Sequence, residues 1–184
     1  MKSLFDTHKE AFERYCDELL LWGETHNITG YKTRKDIMQN IADSIAPLGF
    51  IGDFKTALDI GSGCGFPAIP LAICKASSKF ILVEPQVKRA SFLNIIAINL
   101  GLKNVAILKN RIELVESLPK IDLITSRAFS KSSDIIGLCE RFLDEGGHFL
   151  FYKSPKEFKK DNHHSKIFYF YKSKSEALQW QKSC

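Results

Sequence analysis

The run Asp59-Ile60-Gly61-Ser62-Gly63-Cys64-Gly65-Phe66-Pro67 constrains the fold of this chain more than any other stretch. Three glycines at alternate positions follow a β-prone segment and precede a proline, which reads as a strand turning tightly into a helix. From there on, β-prone and helical runs alternate. Strands are expected at residues 56–60, 80–84, 105–109, 122–126, 148–153 and 166–172. Helices are expected at 67–76, 87–100 and 131–142, with a weaker helical signal at 112–117, and Gly101 falls just past a helix end. Such alternation implies parallel strands joined by right-handed crossovers. The expected class is therefore α/β, with a doubly wound, mostly parallel sheet.

Two helical patterns come before the sheet. Phe5, Phe12, Tyr15, Cys16, Leu19 and Trp22 recur at helical spacing, and Ile37, Ile41, Ile45 and Leu48 mark a second helix that stops at Gly49. They read as an N-terminal helical cap over residues 1–52, ahead of a core at 53–184. With 184 residues, 45% of them hydrophobic, one domain with one substantial core is expected.

Composition narrows the class further. No stretch approaches the ~18 apolar residues of a membrane span, and the start lacks the pattern of a secretory signal, so a cytoplasmic protein is expected. Five scattered cysteines without CxxC spacing suggest reduced thiols rather than a disulfide framework or a zinc site. The adjacent His163 and His164 would point apart on a strand, and no metal is expected. Residues 150–184 hold eight lysines against three acidic residues and so carry the whole net charge of +5. That end can attract phosphates or can simply be a solvated tail, and composition leaves both readings open.

In an open α/β sheet, ligands bind beyond the carboxyl ends of the strands, where the glycine run lies. A dinucleotide fingerprint needs a glycine at position 66, which is Phe66, and a phosphate loop needs a Lys-Ser/Thr pair that is missing. Asp59 opens the loop with a carboxylate suited to a ligand's ammonium group. Glu84 ends the second expected strand, from which a carboxylate can accept hydrogen bonds from ribose hydroxyls. Asp59, Gly61, Gly63, Gly65 and Glu84 are thus candidates for holding a nucleoside cofactor. Glu84 alone suits a nicotinamide or an adenosylmethionine equally.

With these residues in place, the chain resembles the glucose-inhibited division protein B family of small-subunit ribosomal RNA guanine-N7 methyltransferases. The likeness runs from Trp22 to Lys153 and includes Asn27-Ile28-Thr29, Asp43-Ser44, and the glycine run continued through Pro70 to Ile73. Lys88-Arg89, Phe92-Leu93, Arg111-Ile112-Glu113 and Ser126-Arg127-Ala128 follow in the family's order. Ala68 stands where the family usually has glycine, and Asn40 where it usually has histidine. The resemblance implies a Rossmann-like class I methyltransferase that uses S-adenosyl-L-methionine. Its partner would be 16S ribosomal RNA or a small ribosomal subunit precursor, met by a monomer that touches no membrane. It also implies that Gly61, Phe66, Ile112 and Glu113 border the cofactor, that Glu84 holds its ribose, and that Arg127 serves both cofactor binding and catalysis.

Guanine N7 carries no proton, so methyl transfer to it needs no general base, and catalysis should be mostly positioning. The base is expected to be presented unstacked against an aromatic or arginine plane. Arg127 and Phe129 are the first candidates for that plane, and Trp22 and Tyr31 are further ones. Rival readings are a nicotinamide-dependent oxidoreductase, a methyltransferase for a protein or small molecule, and a non-catalytic RNA-binding factor. Phe66 disfavours the first, the lysine-rich end favours RNA, and the intact glycine and acidic positions favour retained cofactor binding.

Overall fold

The computed structural model describes residues 3–26, 28–127, 132–153, 168–172 and 180–182. The helices are α1 (Leu4–Thr7), α2 (Lys9–His26), α3 (Arg34–Ile45), α4 (Ala68–Cys74), α5 (Val87–Asn99) and α6 (Ser132–Cys139). The strands are β1 (Thr56–Ile60), β2 (Lys79–Val83), β3 (Val105–Leu108), β4 (Ile121–Arg127), β5 (Leu143–Lys153), β6 (Phe168–Lys172) and β7 (Trp180–Lys182). They form one sheet in the order β3-β2-β1-β4-β5-β6-β7. Every pairing is parallel except that of β6 with β7. The chain winds outward from β1 to β3 and then crosses back to β4, which opens a crevice at the carboxyl ends of β1 and β4. In the register of that pair Ile60 faces Ser126, so Arg127 stands one residue beyond the end of β1.

Alternation along the strands divides the core in two. Ala57, Leu82, Leu123 and Leu150 face one layer, and Leu58, Ile60, Val83, Ile124 and Phe149 the other. The first layer is filled by α4 and α5 and also by Phe12, Tyr15, Cys16, Leu19, Ile37, Ile41 and Ile45 of α2 and α3. These two N-terminal helices thus share a single buried cluster with the sheet. The Thr33 side chain caps α3 by accepting from the Asp36 amide at 3.1 Å, and the Tyr152 hydroxyl ties β5 to α3 by donating to the Ser44 carbonyl at 2.6 Å.

Several boundaries differ from those expected. The first helix breaks at His8, which caps α1, and the second gives way to a 3₁₀ turn at Ala46–Gly49, where Pro47 removes a donor. The signal near residue 112 is a single 3₁₀ turn, Ile112–Leu114. β5 starts at Leu143, before Gly146 and Gly147 and not after them, because the pairing with β4 shifts register between Ile121 and Leu123. A Cβ at Gly147 would stand 2.9 Å from the Ile121 carbonyl oxygen, so the bare backbone fits that irregularity. β7 has no expected counterpart.

Candidate functional site

The glycine run has two working sides. Leaving β1, Gly61 and Ser62 donate their amides to the Val83 carbonyl at 2.9 and 3.2 Å, which pins the turn to the end of β2. Gly61, Gly63 and Gly65 all have positive φ (67°, 58° and 100°), a region that costs nothing extra only for glycine. Gly63 then donates its amide to Glu84 Oε2 at 2.8 Å, while Oε1 accepts from the Gln86 amide at 2.9 Å. Glu84 is only 2% exposed, so the strand-end acid braces the loop through backbone contacts. Each of its oxygens keeps a lone pair for a ribose hydroxyl.

One side of the loop opens on a cleft of about 360 Å³. Gly61, Ile112 and Glu113 line it together with Pro85, Gln86 and Arg111. Apolar walls from Ile112 and Pro85 suit a flat heterocycle, and the polar groups of Gln86, Arg111 and Glu113 can fix its orientation. Three of the residues proposed from the sequence thus meet here. Pro85, Gln86 and Arg111 join them without a role read from the sequence, although an acid at a strand end followed at once by the next helix is a signal that points to Gln86.

The other side turns inward. Phe66 is buried at 5.4 Å from the Tyr15 ring and 5.6 Å from the Tyr31 ring, and the Arg127 guanidinium carbon lies 5.1 Å from the Phe66 centroid. Arg127 also donates to the Tyr31 hydroxyl. Phe66 therefore belongs to an aromatic cluster under Arg127 and is absent from the residues lining the cleft. Gly65 serves packing: a Cβ there would lie 2.6 Å from Ile69 and 2.8 Å from the Tyr15 hydroxyl, which donates to the Cys64 carbonyl at 2.7 Å. Trp22 packs edge-on against Phe92 at 5.4 Å, a core contact. Phe129, His163, His164 and the lysines from 156 to 166 lie outside the described residues.

Asp59 sits below the loop with 2% exposure. Its Oδ1 accepts from the Thr125 hydroxyl at 2.6 Å, and its Oδ2 has no hydrogen-bond partner among the described residues. Burial pushes the carboxyl up to about 7, against the opposing pull of Thr125, Ser62 and Arg127. Burial likewise raises the Tyr31 phenol, with Arg127 opposing, and the Cys64 thiol. A buried carboxyl with one orphaned oxygen, beside three positive-φ glycines and a cleft for a nucleoside, fits the amino-acid and adenosine ends of adenosylmethionine. Among the described residues no group of three or more His, Cys, Asp or Glu could hold a metal.

The family model GidB, described as rRNA small subunit methyltransferase G, matches residues 8–183. This chain belongs to the rRNA small subunit methyltransferase G family. A family member from Helicobacter pylori named ribosomal RNA small subunit methyltransferase G is 49% identical over 168 residues, covering 87% of this chain and 94% of its own. One of the same name from Wolinella succinogenes is 40% identical over 151 residues, or 82% and 78% of the two chains. The fold alone is shared with the precorrin-6y C5,15-methyltransferase of Geobacter metallireducens, at a TM-score of 0.55, 14% identity and 85% and 87% coverage. Family membership places the glycine run and the Arg127 cluster in a methyltransferase.

Proposed function

We propose that this chain is an S-adenosylmethionine-dependent methyltransferase acting on N7 of a guanine in 16S ribosomal RNA. The observation that carries the reading is the two-sided loop: a nucleoside-sized cleft at Gly61, Ile112 and Glu113, and an arginine over an aromatic ring at the neighbouring strand end. Gln86, Glu113 and Gly61 would hold the adenosine, Glu84 its ribose, and Asp59 the ammonium. When bound, the cofactor supplies an electrophilic methyl group on its sulfonium. The chain's own residues do the rest by position. Arg127, at the mouth of the crevice, presents a flat cationic plane that can steady an unstacked base and meet nearby phosphate charge. Because N7 is unprotonated, no residue has to remove a proton, and Asp59 is left to the cofactor's ammonium. A monomer working in the cytoplasm is part of this proposal, and its support is family membership in an rRNA methyltransferase family; separately, among the described residues no helix is long and apolar enough to cross a membrane.

The test is transfer of a tritiated methyl group to small-subunit RNA and particles from cells that lack this protein, followed by mapping of the labelled nucleotide. Label on N7 of a single guanine is expected. Label on protein or on a small molecule only, or none at all, overturns the reading.

A further inference from the structure

We propose that Tyr31 and Asn40 are positioning residues that lock the Arg127 guanidinium over Phe66, a role that rests on the function given to Arg127 above. A guanidinium can only donate. The Tyr31 oxygen must therefore accept from Arg127, and its own hydrogen goes to Asn40 Oδ1, 3.1 Å away. Asn40 is oriented in turn: its Nδ2 donates to the Asp36 carbonyl at 2.7 Å, one turn back on α3, so that Oδ1 must face the phenol. Tyr31 is fixed from two more directions. Its amide donates to the Thr29 hydroxyl at 3.0 Å, and its ring stands at 79° to Phe66.

The result is a directed chain, Arg127 to Tyr31 to Asn40 to the backbone of α3, that runs between residues 96 positions apart in sequence. Its links are a phenol and an amide, neither of which neutralises the arginine, so the charge is oriented without being cancelled. An unrestrained arginine samples many rotamers, and an ångström of misplacement at a reacting centre is costly in rate. A phenol is protonated at neutral pH, as donation to Asn40 requires, and burial raises this one further.

The experiment compares the full chain with Tyr31→Phe, Asn40→Leu, Asn40→Asp, Arg127→Ala and the Tyr31→Phe/Arg127→Ala double variant. The readouts are kcat, KM for RNA, affinity for adenosylhomocysteine, Tm, and the rotation rate of the Arg127 guanidinium by ¹⁵N NMR. Tyr31→Phe keeps the ring and is expected to lower kcat about tenfold, with adenosylhomocysteine affinity and Tm nearly unchanged and guanidinium rotation faster. Asn40→Leu should follow it, and so should Asn40→Asp, which keeps an acceptor but loses the Nδ2 anchor on the Asp36 carbonyl and brings a charge toward Arg127. In the Arg127→Ala background the Tyr31→Phe loss should vanish. If Arg127→Ala lowers kcat while Tyr31→Phe and Asn40→Leu do not, the positioning role is wrong and the role of Arg127 stands. An equal Tyr31→Phe loss in both backgrounds also overturns it, and a silent Arg127→Ala removes both.

Discussion

Burial lifts the Asp59 carboxyl from an ordinary 3.8 to about 7, so the folded protein holds this proton more tightly than the unfolded chain does. The sign follows: the group's contribution to stability is complete below about pH 4 and is lost as pH rises through about 7, on the order of a few kcal/mol. Asp59→Asn should abolish that slope, so that the Tm difference between variant and parent grows in the variant's favour from pH 5 to pH 8. An ammonium placed at the orphaned Oδ2 favours the carboxylate. Cofactor affinity should therefore climb over the same interval, with proton release on binding, as calorimetry in buffers of different ionisation enthalpy can measure. At Gly65 the physics is steric. Alanine there meets both a φ of 100° and contacts under 3 Å with Ile69 and Tyr15, and should cost at least about 2 kcal/mol in denaturant unfolding.

The elements were legible to different degrees, for physical reasons. β1 begins and ends where the alternation and the first glycine place it, and α5 runs from Val87 to one residue short of the expected end, because local pattern and local turn chemistry agree there. β7 escaped because three residues cannot display a period. The cleft residues Gly61, Ile112 and Glu113 were readable from motif order. The cluster of Tyr15, Tyr31, Phe66 and Arg127 was not: periodicity tells which face of a helix is buried but not which distant side chain it meets. The α2 stripe announced core and concealed a tyrosine whose hydroxyl needs a partner. Ile41, fully buried on α3, lets that dependence be measured. Ile41→Ala should cost about 2–5 kcal/mol, and a partial loss of α3 docking should lower turnover before the protein unfolds, because Asn40 rides on the same helix.

At the scale of the whole molecule, charge is divided from chemistry. The carboxylates and arginines of the site belong to residues 59–127, whereas the excess of lysine lies at 150–184. Replacing Lys156, Lys159 and Lys160 with glutamine should weaken RNA binding and flatten its salt dependence, by roughly 0.7–0.9 in the logarithmic slope for each phosphate no longer neutralised. Adenosylhomocysteine affinity should not change. An unaltered slope would assign those lysines to solubility instead. The placement of α2 has another consequence. Because Tyr15 reaches from the second helix to the carbonyl of Cys64, a fragment trimmed back to the first strand would lose a prop that holds the glycine run from behind. Anyone seeking the smallest working enzyme would have to keep the opening forty-odd residues, which in this protein are masonry and not ornament.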